Sequence, residues 1–300
     1  MADDMTGESG KAVRSGFGGK IAAGLHFVAT PIGSARDITL RALDVLAGAD
    51  VIAAEDTRTA RKLMEIHGIP VAGRPMIAYH DHNGAEARPK VLAALGQEKS
   101  VAYVSEAGTP LVADPGYQLG RAAIDAGYRV FAAPGPSAAV AALTVSGLAS
   151  DRFLFAGFPP SQTGARRRWL EGLEAAQATL ILYESPKRVH RILGELRELY
   201  GADRQVALCR ELTKRFEEIL RGSIDQVIAA IEGRVLKGEI VLVIDRAPPK
   251  SASAEDVDQA LRAALVDLPV KAAAAQVASD LGVPRRDAYQ AALRLKEEQG

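Results

Sequence analysis

The sequence predicts an α/β protein with two α/β domains: a parallel doubly wound N-terminal domain, a mixed-sheet second domain, and then a small C-terminal helical segment. Short β-branched runs alternate with longer amphipathic stretches in the first half of the chain, which is typical of βα units around a parallel sheet. Further along, strand-like runs follow one another without an intervening helix, which indicates antiparallel pairing. The end of the chain is rich in alanine and has a helical pattern.

The N-terminal domain is predicted over residues 24–149, where each strand is followed by a helix. The strands are expected at 25–29, 51–54, 76–79, 101–105 and 129–132. The helices are expected at about 37–49, 57–67, 85–95, 117–126 and 137–145. Strands that alternate with helices in this way make one doubly wound domain, and ligands of such domains bind outside the carboxyl ends of the strands.

The second domain is predicted over residues 150–248, with only two or three helices among its strands. Its strands are expected at 153–157, 179–183, 206–211, 218–220 and 240–244. Residues 1–23 are predicted to be a flexible tail, because they are rich in glycine and serine and lack the apolar core of a signal peptide.

The segment 248–253 is predicted to be a linker, and a helical segment is predicted over 252–300. A helix that ends near Gly282, a short turn and a second helix from Arg285 resemble a helix-turn-helix. Acidic residues slightly outnumber basic ones in this segment. Two roles of this segment therefore remain open: a helical bundle for packing or dimerisation, and a nucleic-acid-binding unit.

The composition excludes several classes of protein. With 48% hydrophobic and 25% charged residues, the 300-residue chain is neither disordered nor fibrous over most of its length. No apolar run approaches the roughly 18 to 20 residues that a membrane span needs, and a single cysteine, Cys209, forms no intrachain disulfide. We therefore expect a cytoplasmic protein. A net charge of zero gives no global attraction to nucleic acid, so a polyanionic substrate would need locally gathered basic residues.

Three predicted strand exits carry glycine or proline, at residues 30–33, 106–110 and 133–137. Glycine lets the backbone approach a ligand closely, and proline fixes a loop. Asp114, in the extension of the second loop, is explained equally by capping the next helix and by bonding a ligand hydroxyl. The same two explanations apply to Ser137.

Several familiar sites are absent from the sequence. No Gly-x-Gly-x-x-Gly run follows a predicted strand, and no phosphate-binding loop or nucleophile elbow occurs. The five histidines have no cysteine or His-Glu-x-x-His context, so no metal site is predicted. These residues alone predict a small-molecule site built from glycine and proline loops.

Eight ordered motifs carry a more specific signal. They are Val28 to Gly33 (VATPIG), Ala54 to Arg58 (AEDTR), Tyr79 to Asn83 (YHDHN), Val104 to Gly116 (VSEAGTPLVADPG), Pro134 to Ala138 (PGPSA), Tyr183 to Pro186 (YESP), Arg210 to Lys214 (RELTK) and Lys237 to Glu239 (KGE). With these motifs, residues 24–248 resemble the tetrapyrrole-methylase superfamily and, within it, the small-subunit ribosomal RNA cytidine 2′-O-methyltransferases. Glu106, Lys187 and Phe216 depart from the family pattern, in which Asp, His and His are common at these positions.

The resemblance implies that S-adenosylmethionine lies in a cleft between the two domains. The residues expected to hold it are Pro31, Ser105, Gly108, Thr109, Val112, Asp114, Ser137, Ala138, Tyr183, Leu212, Gly238 and Glu239. It also implies that the partner is small-subunit ribosomal RNA or the 30S subunit, and that the enzyme is a homodimer.

Methyl transfer to a ribose hydroxyl is helped by a base or by a cation that favours the alkoxide. Carboxylates are predicted at strand ends beside the cleft: Glu55, Asp56, Glu184 and Glu211. Our hypothesis is that Asp56 or Glu211 assists deprotonation, with Lys187 as a third candidate for the chemistry. For phosphate contacts the candidates are Arg58, Arg188 and Lys214, together with Lys187. Structural ion pairing is the alternative for each of these residues.

Two other functions remain open at this point. The first is methylation of a tetrapyrrole precursor or of the modified histidine of an elongation factor, on the same fold. The second is a DNA-binding regulator that uses residues 270–298 as its reader. The AEDTR and YESP motifs and the extra C-terminal helices favour RNA as the acceptor.

Overall fold

A computed structural model describes residues 19–247 and 254–298. The strands are β1 Gly24–Val28, β2 Val51–Ala54, β3 Met76–Ala78, β4 Ser100–Val104, β5 Val130–Ala133, β6 Phe153–Gly157, β7 Thr179–Glu184, β8 Gln205–Arg210, β9 Glu218–Ser223 and β10 Ile240–Ile244. The helices are α1 Leu40–Gly48, α2 Thr57–Ile66, α3 Gly84–Gly96, α4 Tyr117–Asp125, α5 Ala138–Ser146, α6 Thr163–Glu171, α7 Val189–Tyr200, α8 Ile224–Ile231, α9 Ala254–Ala264, α10 Val270–Leu281 and α11 Arg285–Glu297. The predicted linker and most of the predicted tail lie outside the described residues.

The first sheet is parallel throughout and has the strand order β3-β2-β4-β1-β5. Apolar residues of α1 and α2 cover one face, and those of α3 and α4 cover the other. The connection from β1 leads to one side of the sheet and the connection from β4 leads to the other. The adjacent strands β1 and β4 therefore form the topological switch point, where open α/β sheets bind their ligands.

The second sheet is mixed and has the order β6-β7-β10-β8-β9. Only β6 and β7 run parallel, while the other three neighbouring pairs are antiparallel. Helices α6, α7 and α8 cover one face with a large aliphatic core. The predicted fold class, two α/β domains with a parallel and a mixed sheet, is confirmed.

Helix α5 differs from the expectation for its place in the fold. Its small residues, among them Ala139 and Ala142, pack against Ile181, Ala207 and Val241 of the second sheet rather than on the first. The predicted domain boundary between residues 149 and 150 therefore separates α5 from the sheet on which it packs. The described residues from 19 to 246 form one compact unit.

Helix α1 also begins later than its apolar pattern predicted. Residues 35–37 form a 3-10 turn, and the Thr39 hydroxyl accepts a hydrogen bond from the Ala42 N–H, which caps α1 at Leu40. A threonine at this position satisfies one of the free N–H groups of the first turn.

The C-terminal unit begins at Ala247 and has its own small core. Helices α9, α10 and α11 pack through leucine, valine and several alanines. Gly282 ends α10 in the left-handed conformation, with φ of 64°, which is the usual role of glycine after a helix. No helix of the described ranges has the length and apolar character that a membrane span needs.

Candidate active site

A cleft opens at the carboxyl ends of the parallel strands, where the second sheet meets the switch point. It contains about 850 Å³ of space, part of which is open solvent. The lining residues are Ile32, Glu55, Glu106, Ala107, Gly108, Thr109, Val112, Ala113, Asp114, Ser137, Ala138, Phe158, Tyr183, Glu184, Glu239, Ile240 and Val241.

The three glycine and proline loops converge on this cleft. Thr30 and Gly108 exchange backbone hydrogen bonds of 2.9 and 3.0 Å, which join the first loop to the second. The Thr109 hydroxyl donates to the Pro136 carbonyl at 2.8 Å, which joins the second loop to the third. All three loops are predicted to contact a ligand, and the fold brings them to one place.

The second loop has an unusual backbone. Leu111 and Ala113 adopt positive φ angles of 74° and 61°, although neither is glycine. Such conformations cost free energy and are concentrated at functional sites. The buried Tyr103 hydroxyl supports the loop by donating to the Pro115 carbonyl at 3.0 Å. The fold therefore holds this loop in a strained shape beside the cleft.

The first-domain wall is acidic. Asp114 is partly buried, and burial together with the charge of Glu55 raises its pKa to about 6. Burial also raises the pKa of Glu55, whose carboxylate accepts the Glu106 N–H at 3.2 Å. Negative charge in a partly dehydrated cleft is complementary to a cationic ligand.

Two hydroxyl groups in the loops beside this wall are buried. Ser105 is only 4% exposed and Thr30 only 2%, and neither side-chain oxygen has a hydrogen bond of normal geometry to any described residue. The Ser105 hydroxyl nevertheless lies close enough to Asp114 to lower its pKa slightly against the main upward shift. Neither Ser105 nor Thr30 is part of the cleft lining.

The second-domain wall combines aromatic rings with a buried carboxylate. The Tyr183 hydroxyl accepts the Ala139 N–H at 3.1 Å, and burial raises the pKa of this tyrosine. Glu184 is 3% exposed and forms an ion pair of 3.1 Å with Arg188. The ring of Phe158 lies against Tyr183, with 5.4 Å between the ring centroids.

Eight of the twelve residues predicted to hold a cofactor line the cleft: Gly108, Thr109, Val112, Asp114, Ser137, Ala138, Tyr183 and Glu239. The other four, Pro31, Ser105, Leu212 and Gly238, are outside the lining. Of these, Leu212 is buried in the same apolar cluster as Ile32. The lining also contains residues of the predicted loops and motifs, Ile32, Glu106, Ala107 and Ala113, and the carboxylates Glu55 and Glu184 that were predicted beside the cleft. Phe158, Ile240 and Val241 line the cleft without having been predicted from the sequence.

The two carboxylates favoured by our hypothesis as bases have other partners. Asp56 caps α2, accepting the Arg58 N–H at 2.7 Å and pairing with the Arg58 guanidinium at 2.7 Å, and these contacts lower its pKa to about 2. Glu211 accepts the Glu239 N–H at 3.0 Å and pairs with Lys214 at 2.9 Å, which lowers its pKa. Neither residue lines the cleft, so the geometry favours structural ion pairing for both.

The cations expected to hold phosphates are also engaged within the chain. Arg58 pairs with Asp56, and Lys214 lies 2.9 Å from Glu211 and 3.0 Å from Glu239. Arg188 pairs with Glu184 and donates to a loop carbonyl. Lys187 is exposed and has no ion pair with any described residue.

A parallel doubly wound sheet joined to a mixed sheet, with a cleft of glycine and proline loops at the switch point, defines a tetrapyrrole-methylase domain. The family model "Tetrapyrrole (Corrin/Porphyrin) Methylases" matches residues 24–228, and the model "RsmI C-terminal HTH domain" matches residues 251–296. The chain is 48% identical to the ribosomal RNA small subunit methyltransferase I of Mesorhizobium japonicum, over 92% of this chain and 93% of that one.

Two further relatives with the same name are similar. The Haemophilus influenzae protein is 40% identical, covering 91% of this chain and 98% of its own, and the Escherichia coli O157:H7 protein is 42% identical, covering 92% and 96%. The chain therefore belongs to the ribosomal RNA small subunit methyltransferase I family. The resemblance identified from the eight motifs is confirmed.

Solved structures share the fold at lower identity. The uroporphyrin-III-C-methyltransferase of Thermus thermophilus has a TM-score of 0.53 at 20% identity, covering 75% of this chain and 95% of that one. A diphthine synthase has a TM-score of 0.53 at 16% identity, covering 74% and 89%. The Thermus enzyme is also known in complex with S-adenyl homocysteine, with a TM-score of 0.51 at 19% identity, covering 73% and 96%. These similarities concern the fold.

Proposed function

We propose that this chain transfers the methyl group of S-adenosylmethionine to the 2′-hydroxyl of a cytidine in small-subunit ribosomal RNA. The observation that carries the proposal is the acidic cleft at the switch point, in a chain 48% identical to a ribosomal RNA small subunit methyltransferase I. The acceptor class follows from the names of the relatives. The cytidine ribose as target follows from the motif resemblance.

The residues of the cleft fit this cofactor. Gly108, which lines the cleft, leaves room for a ligand to approach the backbone closely. The Asp114 and Glu55 carboxylates complement a positive charge. When bound, S-adenosylmethionine supplies an electrophilic methyl group attached to a sulfonium. We propose that the loop from Ser105 to Asp114 holds it, together with the remaining residues predicted for this role: Pro31, Ser137, Ala138, Tyr183, Leu212, Gly238 and Glu239.

The chain must also take a proton from the acceptor hydroxyl. A base is most effective when its pKa lies near the working pH, and the pKa of Asp114, about 6, meets this condition better than that of Asp56, about 2. Asp114 lines the cleft, whereas Asp56 does not. We therefore infer that Asp114 accepts the proton and that Glu55 helps to keep its pKa high. The walls of the cleft limit water around the reacting groups.

A matched pair of glycine substitutions tests the cofactor site. Gly108 and Gly127 have the same φ of 79°, so a side chain strains the backbone equally at both. Gly108 lines the cleft with Ile32 at 3.3 Å from an added Cβ, whereas Gly127 faces open space. Isothermal titration with S-adenosylhomocysteine should show lost binding for Gly108→Val and near-normal binding for Gly127→Val. Equal affinities would place the cofactor elsewhere.

Methyl transfer is tested on isolated ribosomal subunits. The protein is incubated with methyl-labelled S-adenosylmethionine and small subunits from cells lacking this gene, and nuclease digests are analysed by mass spectrometry. We expect label in 2′-O-methylcytidine, with large subunits and a uroporphyrinogen substrate as controls. Label in the tetrapyrrole or in protein would refute the RNA assignment. Binding of subunits should weaken steeply with salt, because phosphate contacts release counterions.

We further propose a cytoplasmic homodimer, since the proposed substrate is cytoplasmic and the surface offers an apolar contact. Tyr117 and Ile124 lie seven residues apart on one face of α4 and are 63% and 59% exposed. Light scattering should give twice the mass of one chain, and Ile124→Glu should shift the protein towards the monomer. A monomeric wild-type protein would contradict the dimer.

A further inference from the structure

Phe158 is an aromatic side chain left exposed at a binding cleft. It lines the cleft, yet 58% of it is open to solvent. Its ring meets Tyr183 edge to face, with an interplanar angle of 68°. Of these two rings on the cleft wall, Tyr183 is the more buried and uses its hydroxyl to bind the Ala139 N–H. Phe158 therefore presents apolar ring surface at the mouth of the cleft.

The backbone beneath this ring is held firmly. The 157–161 loop contains two consecutive prolines, which have restricted φ angles. Arg188 donates to the Pro159 carbonyl at 2.6 Å, and Arg166 donates to the Ser161 carbonyl at 2.9 Å. Two arginines thus fix the loop from the scaffold side, and the position of the ring is set by its backbone rather than by burial.

Both arginines are anchored by carboxylates. Arg166 is 1% exposed and forms two hydrogen bonds of 2.6 Å with Glu195, and Arg188 pairs with the buried Glu184. Burying a charged pair is costly, and such pairs are weak devices for stability alone. Each cation also donates to a loop carbonyl, which indicates that a fixed loop geometry is what the pairs provide.

We infer that Phe158 is the stacking platform for the nucleobase of the acceptor nucleotide, an inference that rests on the RNA methylation proposed above. Proteins that act on single-stranded or extruded nucleotides stack the base on an aromatic side chain, because every base has a π-face. Because the ring is already held in place, little conformational entropy is lost when the base binds. Lys187 is exposed and adjacent to Arg188, so an unpaired cation for the neighbouring phosphate lies close to the same loop.

The test compares three substitutions at Phe158 with a control on β6, the strand that leads into the Phe158 loop. Phe158→Ala removes the ring, Phe158→Leu keeps an apolar group without a π-face, and Phe158→Tyr keeps the ring. Phe153→Ala is the control, because Phe153 is 48% exposed on β6 and lies outside the cleft lining. Each variant is assayed for kcat and KM with small ribosomal subunits and for the Kd of S-adenosylhomocysteine by titration calorimetry.

We expect Phe158→Ala and Phe158→Leu to lower kcat/KM for subunits by roughly 10- to 100-fold, the size of one lost base–aromatic stack. Phe158→Tyr and Phe153→Ala should stay near wild type, and the Kd of S-adenosylhomocysteine should change less than about twofold in every variant. These expectations separate a stacking platform from a simple apolar filler.

Other outcomes would overturn the inference. Wild-type activity in Phe158→Leu would make the side chain an apolar filler, and a tenfold weaker Kd for S-adenosylhomocysteine in Phe158→Ala would assign the ring to the cofactor. If the wild-type protein binds S-adenosylhomocysteine but methylates no subunit, the proposed function fails and this inference with it. An active wild type with an unchanged Phe158→Ala variant refutes the platform alone.

Discussion

Replacing Asp114 by Asn should stabilise the ligand-free protein at neutral pH. In the fold, burial and the nearby Glu55 carboxylate raise the pKa of Asp114 from its usual 3.8 to about 6. The folded state therefore holds this proton more tightly than the unfolded chain does. As the pH rises from about 4 through 6, the folded state must give up the proton at a free-energy cost, and Asn never has this cost.

The magnitude follows from the two pKa values. Each tenfold change in proton affinity corresponds to about 1.4 kcal/mol, so a rise from 3.8 to about 6 gives an upper limit of about 3 kcal/mol. Asp114 is only partly buried, and solvent screening reduces the effect. We expect Asp114→Asn to be about 1 to 2 kcal/mol more stable than wild type at pH 7.5 and nearly equal to it at pH 4.

Urea unfolding of the ligand-free protein at several pH values between 4 and 8 measures this difference. Asp44→Asn, which removes an exposed carboxylate on α1, controls for the loss of one negative charge. Glu55→Gln should reduce the gap between wild type and Asp114→Asn, because it removes one cause of the raised pKa of Asp114. Curves for wild type and Asp114→Asn that stay parallel from pH 4 to 8 would refute the reasoning.

Three further substitutions have definite expected outcomes. Arg166→Met should lower the free energy of unfolding in urea by roughly 3 to 5 kcal/mol, because it leaves the partly buried Glu195 carboxylate unpaired, and a loss below about 1 kcal/mol would contradict this. Gly238→Ala should weaken S-adenosylhomocysteine binding in calorimetry, because its Cβ would overlap the Glu211 carboxylate at a φ of 89°. Gly233→Ala, at a φ of 67° in open space, should leave binding unchanged. Asp56→Ala should keep methyl transfer within a few-fold of wild type in single-turnover assays, and an inactive Asp56→Ala protein that still folds would restore Asp56 as a base.

The strand exits could be predicted well because they depend on local chemistry. Glycine and proline directly after a β-branched run are visible in the sequence, and parallel strands carry all their exits to one edge of the sheet. The convergence of the loops at Thr30, Gly108 and Pro136 follows from that topology. The contact of α5 with the second sheet could not be predicted in this way, since small residues pack equally well on either sheet.

The roles of the acidic residues were harder to predict. Glu55 and Asp56 are neighbours at the end of β2, and their residue types alone do not show which one faces the cleft. The structure separates them by a capping interaction: Asp56 turns to the first N–H groups of α2, and Glu55 lines the cleft. An aspartate directly before a helix is a strong capping signal, so the sequence favours Asp56 as the cap of α2 and leaves Glu55 as the carboxylate for the cleft.

The ion pairs that the candidate phosphate-binding residues form within the chain affect how the protein would recognise RNA. Arg58, Arg188 and Lys214 are all paired with carboxylates, and the net charge of the chain is zero. Cations that are already paired with carboxylates add limited affinity for phosphates. The base itself is then a further source of affinity for the acceptor, and a ring on a rigid loop supplies such a contact. The ion pair with Glu184 keeps Arg188 from binding phosphates, and it also holds Arg188 where it bonds the loop that carries Phe158. The two effects therefore have one structural cause.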